Sequence, residues 1–228
     1  MKILAVDTSS FPASVAVSED GVTLGEYVIR NKRKHSQNLM AMTERLFSEL
    51  EMDIADIDVF AVTVGPGSFT GLRIGISTIR AFAQALDKPV VGISTLEALA
   101  YNFVCSDAVV VPMLDARKDE VFCAAYEFDG TEMKELLAPC VMTVGELTAL
   151  YPDRRVIYTG DGMLMHKAGI TRDNAVFAPA NLSEVRAGAA AALAAKKAES
   201  GGAVNHNRIT PVYLRKSQAE RLYKEKNQ

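Results

Sequence analysis

Val62-Thr63-Val64-Gly65-Pro66-Gly67-Ser68-Phe69-Thr70-Gly71-Leu72-Arg73 is the stretch that decides the fold. A β-branched run enters a glycine-rich turn. An apolar stripe at helical spacing follows, through Leu72, Ile76, Ile79, Phe82 and Leu86. The turn therefore lies at a strand-to-helix junction, where free backbone N–H groups could hold an anion. The known phosphate motifs do not match it. A dinucleotide fingerprint needs a third glycine where Thr70 stands, and a P-loop needs a Gly-Lys-Ser/Thr that is absent.

Upstream of this junction, residues 3–6, 14–17 and 24–29 read as strands, with turns at 9–12 and 19–21. A basic loop at 30–35 leads into a helix starting near Ser36, with Leu39, Met42, Leu46 and Leu50 on its core face. Met40 and Phe47 lie on another face. Residues 57–64 form the strand into the glycine turn, and Asp87-Lys88-Pro89 ends the long helix, because proline cannot continue it. A strand at 90–93 and a short helix at 95–103, capped by Ser94 or Thr95, close the first half.

The second half repeats the opening plan loosely: a strand at 109–115 ending in Asp115, a polar loop, then a strand at 120–128 and the Asp129-Gly130 turn. Such duplication predicts two related lobes. A strand at 155–158 precedes Gly160-Asp161-Gly162. Ser183 reads as the cap of an alanine-rich helix that runs to Glu199 and closes at Gly201-Gly202. The tail from Ser217 is polar and charged.

Composition narrows the function classes. The chain has 228 residues, 49% of them hydrophobic, enough for a substantial core. Net charge is -3, so no global basic field draws it to nucleic acid or membrane. The start, Met1-Lys2-Ile3-Leu4-Ala5-Val6-Asp7, reads as too short and too quickly acidic for a secretory signal, and no apolar run is long enough to span a bilayer. Cys105, Cys123 and Cys140 lack metal-ligand spacing and read as buried free thiols, which fits a reducing cytoplasm.

Three stretches together resemble the bacterial TsaB family, formerly called YeaZ: Ile3-Leu4-Ala5-Val6-Asp7-Thr8-Ser9-Ser10, the segment from Val64 to Gly75 around Gly-Pro-Gly-Ser-Phe-Thr-Gly, and Pro211-Val212-Tyr213-Leu214-Arg215. The resemblance covers essentially the whole chain. It implies an actin-like, sugar-kinase-like, Hsp70-like (ribonuclease H-like) α/β fold, with two duplicated lobes of mixed sheet flanked by helices. The lobes would span 1–105 and 106–216, followed by a charged tail at 217–228. It implies a noncatalytic scaffold that pairs with the catalytic subunit TsaD, and with TsaE through the complex, to place N6-threonylcarbamoyl on adenosine 37 of tRNAs reading A-starting codons. Contact with tRNA would come only through the assembled complex, and the chain alone would form a homodimer.

The residues expected of a working site are missing. The His-x-x-x-His metal pair of TsaD falls, by alignment, on Thr95 and Leu99, and neither replaces an imidazole. His35, His166 and His206 are widely separated in sequence. The two hairpin turns that wrap phosphate in kinases of this superfamily are Asp7-Thr8-Ser9-Ser10-Phe11-Pro12 and Asp115-Ala116-Arg117-Lys118-Asp119-Glu120, both without glycine. The expectation is degenerate phosphate turns at Asp7, Thr8, Ser9, Asp115 and Arg117, no cofactor, no metal and no catalysis. Asp7 reads as a residue that pins its turn. His35-Ser36 reads as a helix start rather than a base and nucleophile. The basic residues of 31–35, with Arg215, Lys216, Arg221, Lys224 and Lys226, read as solvated.

The expected partner surface lies on the helices at 36–51 and 68–86, where Leu39, Met40, Thr43, Phe47, Ser68, Phe69, Gly71, Leu72, Arg73, Gly75 and Ile76 are candidates. Gly71 and Gly75 are one turn apart and suit close approach either of a partner helix or of their own sheet. Arg73 could pair with a partner carboxylate. Changing Leu72 or Ile76 to Glu should leave the monomer folded and abolish pairing. Competing readings are an ATP-dependent enzyme or metallopeptidase of the same superfamily, and a direct tRNA-binding module.

Overall fold

A computed structural model describes residues 1–31 and 35–215. The first half contains β1 (Lys2–Asp7), β2 (Ala13–Glu19), β3 (Val22–Ile29), α1 (His35–Glu49), β4 (Val59–Gly65), α2 (Phe69–Leu86), β5 (Val90–Ser94) and α3 (Thr95–Ala100). The second contains β6 (Val109–Asp115), β7 (Glu120–Asp129), β8 (Glu132–Thr143), α4 (Val144–Thr148), β9 (Val156–Thr159), α5 (Asp161–His166), β10 (Ala175–Phe177) and α6 (Ala187–Glu199).

The two five-stranded sheets have one topology. The first runs β3-β2-β1-β4-β5 and the second β8-β7-β6-β9-β10. In each, the first three strands form an antiparallel meander, and the fourth and fifth add in parallel. The loose repeat in the sequence is thus a true structural duplication.

Burial follows strand alternation. Ile3 and Ala5 face a middle layer, while Leu4 and Val6 face the opposite side with α1 and α2. The middle layer is built from α3 and α6. The alanines of α6 (Ala187, Ala190, Ala191, Ala194) pack with Val91 and Ile93 of the first sheet and Val110 and Leu114 of the second. Small side chains let this helix lie close between sheets. The sequence boundary at 105/106 separates the sheets, but α6 crosses it in space by packing on β1, β2, β4 and β5. The outer side of the second sheet packs Val109, Val111 and Met113 with Leu147 and Met163 of its short helices.

Three local features differ from the sequence reading. β8 is a twelve-residue strand where none is expected. Its charged stretch and Pro139 disguise it. It lies at the sheet edge, and its register shifts between Leu137 and Cys140, where the proline sits. Ser183 does not cap α6. Its hydroxyl donates to the Pro179 carbonyl at 3.1 Å. Instead Glu26 of β3 accepts from the Gly188 N–H at 3.0 Å and pairs with Arg186, so the cap comes from the other end of the chain. Cys105 is exposed in a turn rather than buried, whereas Cys123 is buried and Cys140 half-buried.

Candidate partner face and interlobe cleft

The turn after β1 is closed by its own side chains. Oδ1 of Asp7 accepts from the Ser9 N–H (3.1 Å), the Ser9 hydroxyl (2.6 Å) and the Thr63 hydroxyl (2.5 Å). Asp7 is fully buried, and its Oδ2 has no partner. Burial raises its pKa, opposed by the hydrogen bonds from Ser9 and Thr63. The start of α2 presses on the same turn. The Ser68 N–H donates to the Ser9 carbonyl at 2.7 Å, the Gly71 N–H to the Ser68 hydroxyl at 3.2 Å, and the Thr8 hydroxyl to the Gly71 carbonyl at 2.8 Å. Two N–H groups at this helix start are therefore already engaged by the protein itself. A Cβ on Gly71 would collide with the Thr8 carbonyl, and one on Gly75 would stand 2.5 Å from the Thr8 hydroxyl. The glycines thus serve close approach of α2 to its own sheet.

The turn after β6 is open. Asp115 is half-buried at the edge of a cleft of about 590 Å³ between the lobes, with Ser9, His35, Arg117, Asp161 and Tyr213 also on its walls. The Asp115 N–H donates to Asp161 Oδ1 at 3.0 Å, and Asp115 Oδ1 accepts from the Arg117 N–H at 2.8 Å. Desolvation raises the pKa of Asp161, and the neighbouring Asp115 charge adds to the shift. Arg117, Lys118 and Asp119 all have left-handed backbone, with φ of 69°, 58° and 62°. The turn takes the conformation that glycine favours without containing one, so lack of glycine does not decide its shape. Arg215 holds it from across the cleft, donating to the Ala116 carbonyl and pairing with Glu120.

The expected partner residues divide into two groups. Leu39, Thr43, Phe47, Gly71, Leu72, Gly75 and Ile76 are buried, Leu72 to 0% and Phe47 to 7% exposure. They form the floor under α1 and α2 and are not available as surface, because the same helical stripe that marks the core cannot also face outward. Leu72→Glu and Ile76→Glu would therefore unfold the monomer, contrary to the sequence expectation. Met40, Ser68, Phe69 and Arg73 are exposed. A second hollow of about 530 Å³ runs between the two helices, lined by Met40, Phe69 and Arg73 and also by Ile74, Ser77 and Thr78. Ile74, Ser77 and Thr78 are not among the residues the sequence suggests for this face. The signal for them was present: with Leu72, Ile76 and Ile79 inward, the face carrying residues 70, 73, 74, 77 and 78 must turn outward.

The remaining candidates do not converge. Thr95 and Leu99 are buried in α3. His35 lines the cleft while Ser36 lines the groove, so the pair does not face one site. His166 lies 3.7 Å from Asp119 at the end of α5. Among the described residues no three metal-ligating side chains cluster. The basic residues at 32–34, and Lys216, Arg221, Lys224 and Lys226, lie outside the described residues.

A duplicated pair of mixed sheets around a shared helical layer defines the ribonuclease H-like, actin-like class. The ethanolamine utilization protein EutJ from Carboxydothermus hydrogenoformans shares this fold, at 12% identity and a TM-score of 0.50 over 85% of this chain and 90% of its own. YeaZ from Pseudomonas aeruginosa is far more similar, with 29% identity and a TM-score of 0.83 over 93% of this chain and 99% of its own. A family model described as TsaD, tRNA N6-adenosine threonylcarbamoyltransferase, matches residues 23–223. The tRNA threonylcarbamoyladenosine biosynthesis protein TsaB of Bacillus subtilis is 32% identical over 73% of this chain and 74% of its own length. TsaB of Escherichia coli is 34% identical over 61% of this chain and 63% of its own. The chain belongs to the TsaB (YeaZ) family.

Proposed function

We propose that the chain is a noncatalytic subunit in the biosynthesis of threonylcarbamoyladenosine on tRNA, pairing with a TsaD-type catalytic subunit through the outer face of α1 and α2. The observation that carries this reading is the uncovered groove on that face. Met40, at 51% exposure, and Phe69 lie beside it over a rigid buried floor. Exposed methionine and aromatic side chains on rigid helices are adaptable anchors for a partner. The partner shares the family model, so two similar helix pairs can meet around a pseudo-two-fold axis. The same geometry allows a homodimer when the partner is absent. The scaffold would present TsaD for reaction at adenosine 37, with TsaE joining the complex and tRNA held only by the whole assembly. Among the described residues no helix is long and apolar enough to cross a membrane, which is compatible with a cytoplasmic site of action.

The test is light scattering after size exclusion, for the chain alone and mixed with its cognate TsaD, alongside a threonylcarbamoylation assay. A mixed dimer that displaces the homodimer and raises modification supports the scaffold. Unchanged modification with no mixed species overturns it.

A second reading, an ATP-using enzyme, draws on the open cleft and on the left-handed turn at Arg117, Lys118 and Asp119. A nucleotide-dependent thermal shift would favour it. No shift at millimolar nucleotide would leave the scaffold reading alone.

A further inference from the structure

The segment 211–215, singled out in the sequence, crosses from one lobe to the other along the wall of the cleft. The Val212 N–H donates to the Val64 carbonyl at 2.7 Å, anchoring the segment beside the end of β4. Arg215 fastens its far end to the Ala116 carbonyl and Glu120 in the second lobe. Between these anchors Tyr213 stacks on Phe69, ring centroids 4.6 Å apart, and its hydroxyl accepts from Arg73 Nε at 3.0 Å. The Arg73 guanidinium also lies 4.0 Å from the Phe69 ring centroid.

Arg73 thus has its conformation fixed from two sides, but among the described residues its charge has no carboxylate partner. Arg30, Arg45, Arg154, Arg186 and Arg215 each pair with a glutamate, whereas Arg80, Arg155 and Arg208 have no salt bridge among the described residues, but none of these three lines the groove. Among the described residues Arg73 pairs with no carboxylate and is the one charged residue lining the groove between α1 and α2. With Nε committed to Tyr213, the two terminal nitrogens remain as a planar fork, the geometry that receives a carboxylate in bidentate fashion.

We propose that the partner seated in this groove presents an aspartate or glutamate to Arg73, and that Tyr213 is the positioning residue that holds the fork for it. The assignment rests on the proposed function, taking the TsaD-type subunit as the occupant. Holding the fork in advance removes the cost of ordering a long side chain on binding. A charged pair enclosed by the apolar walls of Met40, Phe69 and Ile74 is screened less by salt than an exposed one.

The experiment is calorimetric titration of the full chain with its cognate TsaD at low and high salt, with thermal melting of each variant. Arg73→Gln should weaken binding about tenfold or more at both salt concentrations, since an enclosed pair is little screened. Arg73→Lys should recover little, since an ammonium keeps the charge and loses the fork. Tyr213→Phe keeps the stacked ring and removes the acceptor, and should weaken binding about threefold. Melting temperatures should stay with the wild type. Arg73→Gln binding within twofold of wild type overturns the carboxylate contact while leaving the scaffold intact. Full rescue by lysine overturns the fork, and wild-type affinity in Tyr213→Phe overturns the positioning role of Tyr213. No binding by the wild-type chain removes the proposed function itself, and this assignment with it.

Discussion

The turns after β1 and β6 occupy equivalent places in the two lobes, yet one is closed and the other open. Asp7 is fully buried and bound by Ser9 and Thr63, and α2 rests on its turn. Asp115 stays at the cleft wall, with Asp161 bonded to its own N–H. The helices diverge in the same sense. α1 and α2 have 15 and 18 residues, while their counterparts α4 and α5 have 5 and 6. Duplication of topology therefore did not duplicate surface. The first lobe spends its turn on seating long helices and so gains a broad outer face. The second keeps short helices and an accessible turn. The proposed partner face draws on this difference, since only the first lobe has two long helices side by side.

The largest expected break in this comparison is Leu72→Glu. An unpaired charge on a fully buried side chain costs on the order of 5 kcal/mol, comparable to the whole stability of a domain. Circular dichroism should find no cooperative fold, and a normally folded variant would contradict the placement of Leu72. Gly71→Ala follows. Its methyl would meet the Thr8 carbonyl, and overpacking against backbone should cost about 3 kcal/mol in urea unfolding. Alanine at Gly145 in the second lobe meets nothing within 4 Å and should leave the midpoint nearly unchanged. Met40→Glu should leave melting unaltered, within about 0.5 kcal/mol, while weakening association with TsaD. Wild-type association would move the partner off this face.

The smallest effect concerns Asp7 and pH. Its folded pKa is raised by burial above the ordinary value of 3.8. The native state therefore favours the protonated form, and stability falls as pH rises from near 3.8 through the raised value. Asp7→Asn lacks this titration. In urea unfolding the variant should gain on the wild type across that window and then run parallel to it. A variant that loses ground to the wild type as pH rises would contradict the burial effect.

Much of this arrangement was legible in the sequence. The strand–turn–helix at Val62 to Leu72, the internal repeat and the pinning role of Asp7 all follow from local pattern. The exposed face of α1 and α2 was legible only in part. Leu72 and Ile76 read from spacing as core and from the resemblance as surface, and one helical stripe cannot serve both. Rotation of the same helix by its own period puts Arg73, Ile74 and Ser77 outward. The rest depends on distant partners that local pattern does not carry. Glu26 caps α6 across 162 residues, and Tyr213 reaches Arg73 across 140. β8 is a strand because β7 supplies its hydrogen bonds, despite the charges and proline within it.

The most direct test of the asymmetry between lobes is amide hydrogen exchange of the chain alone and with its cognate TsaD. New protection is expected in α1 and the first half of α2, with α4 and α5 exchanging as before. Protection confined to α4 and α5, or to the open turn at Asp115, would contradict it.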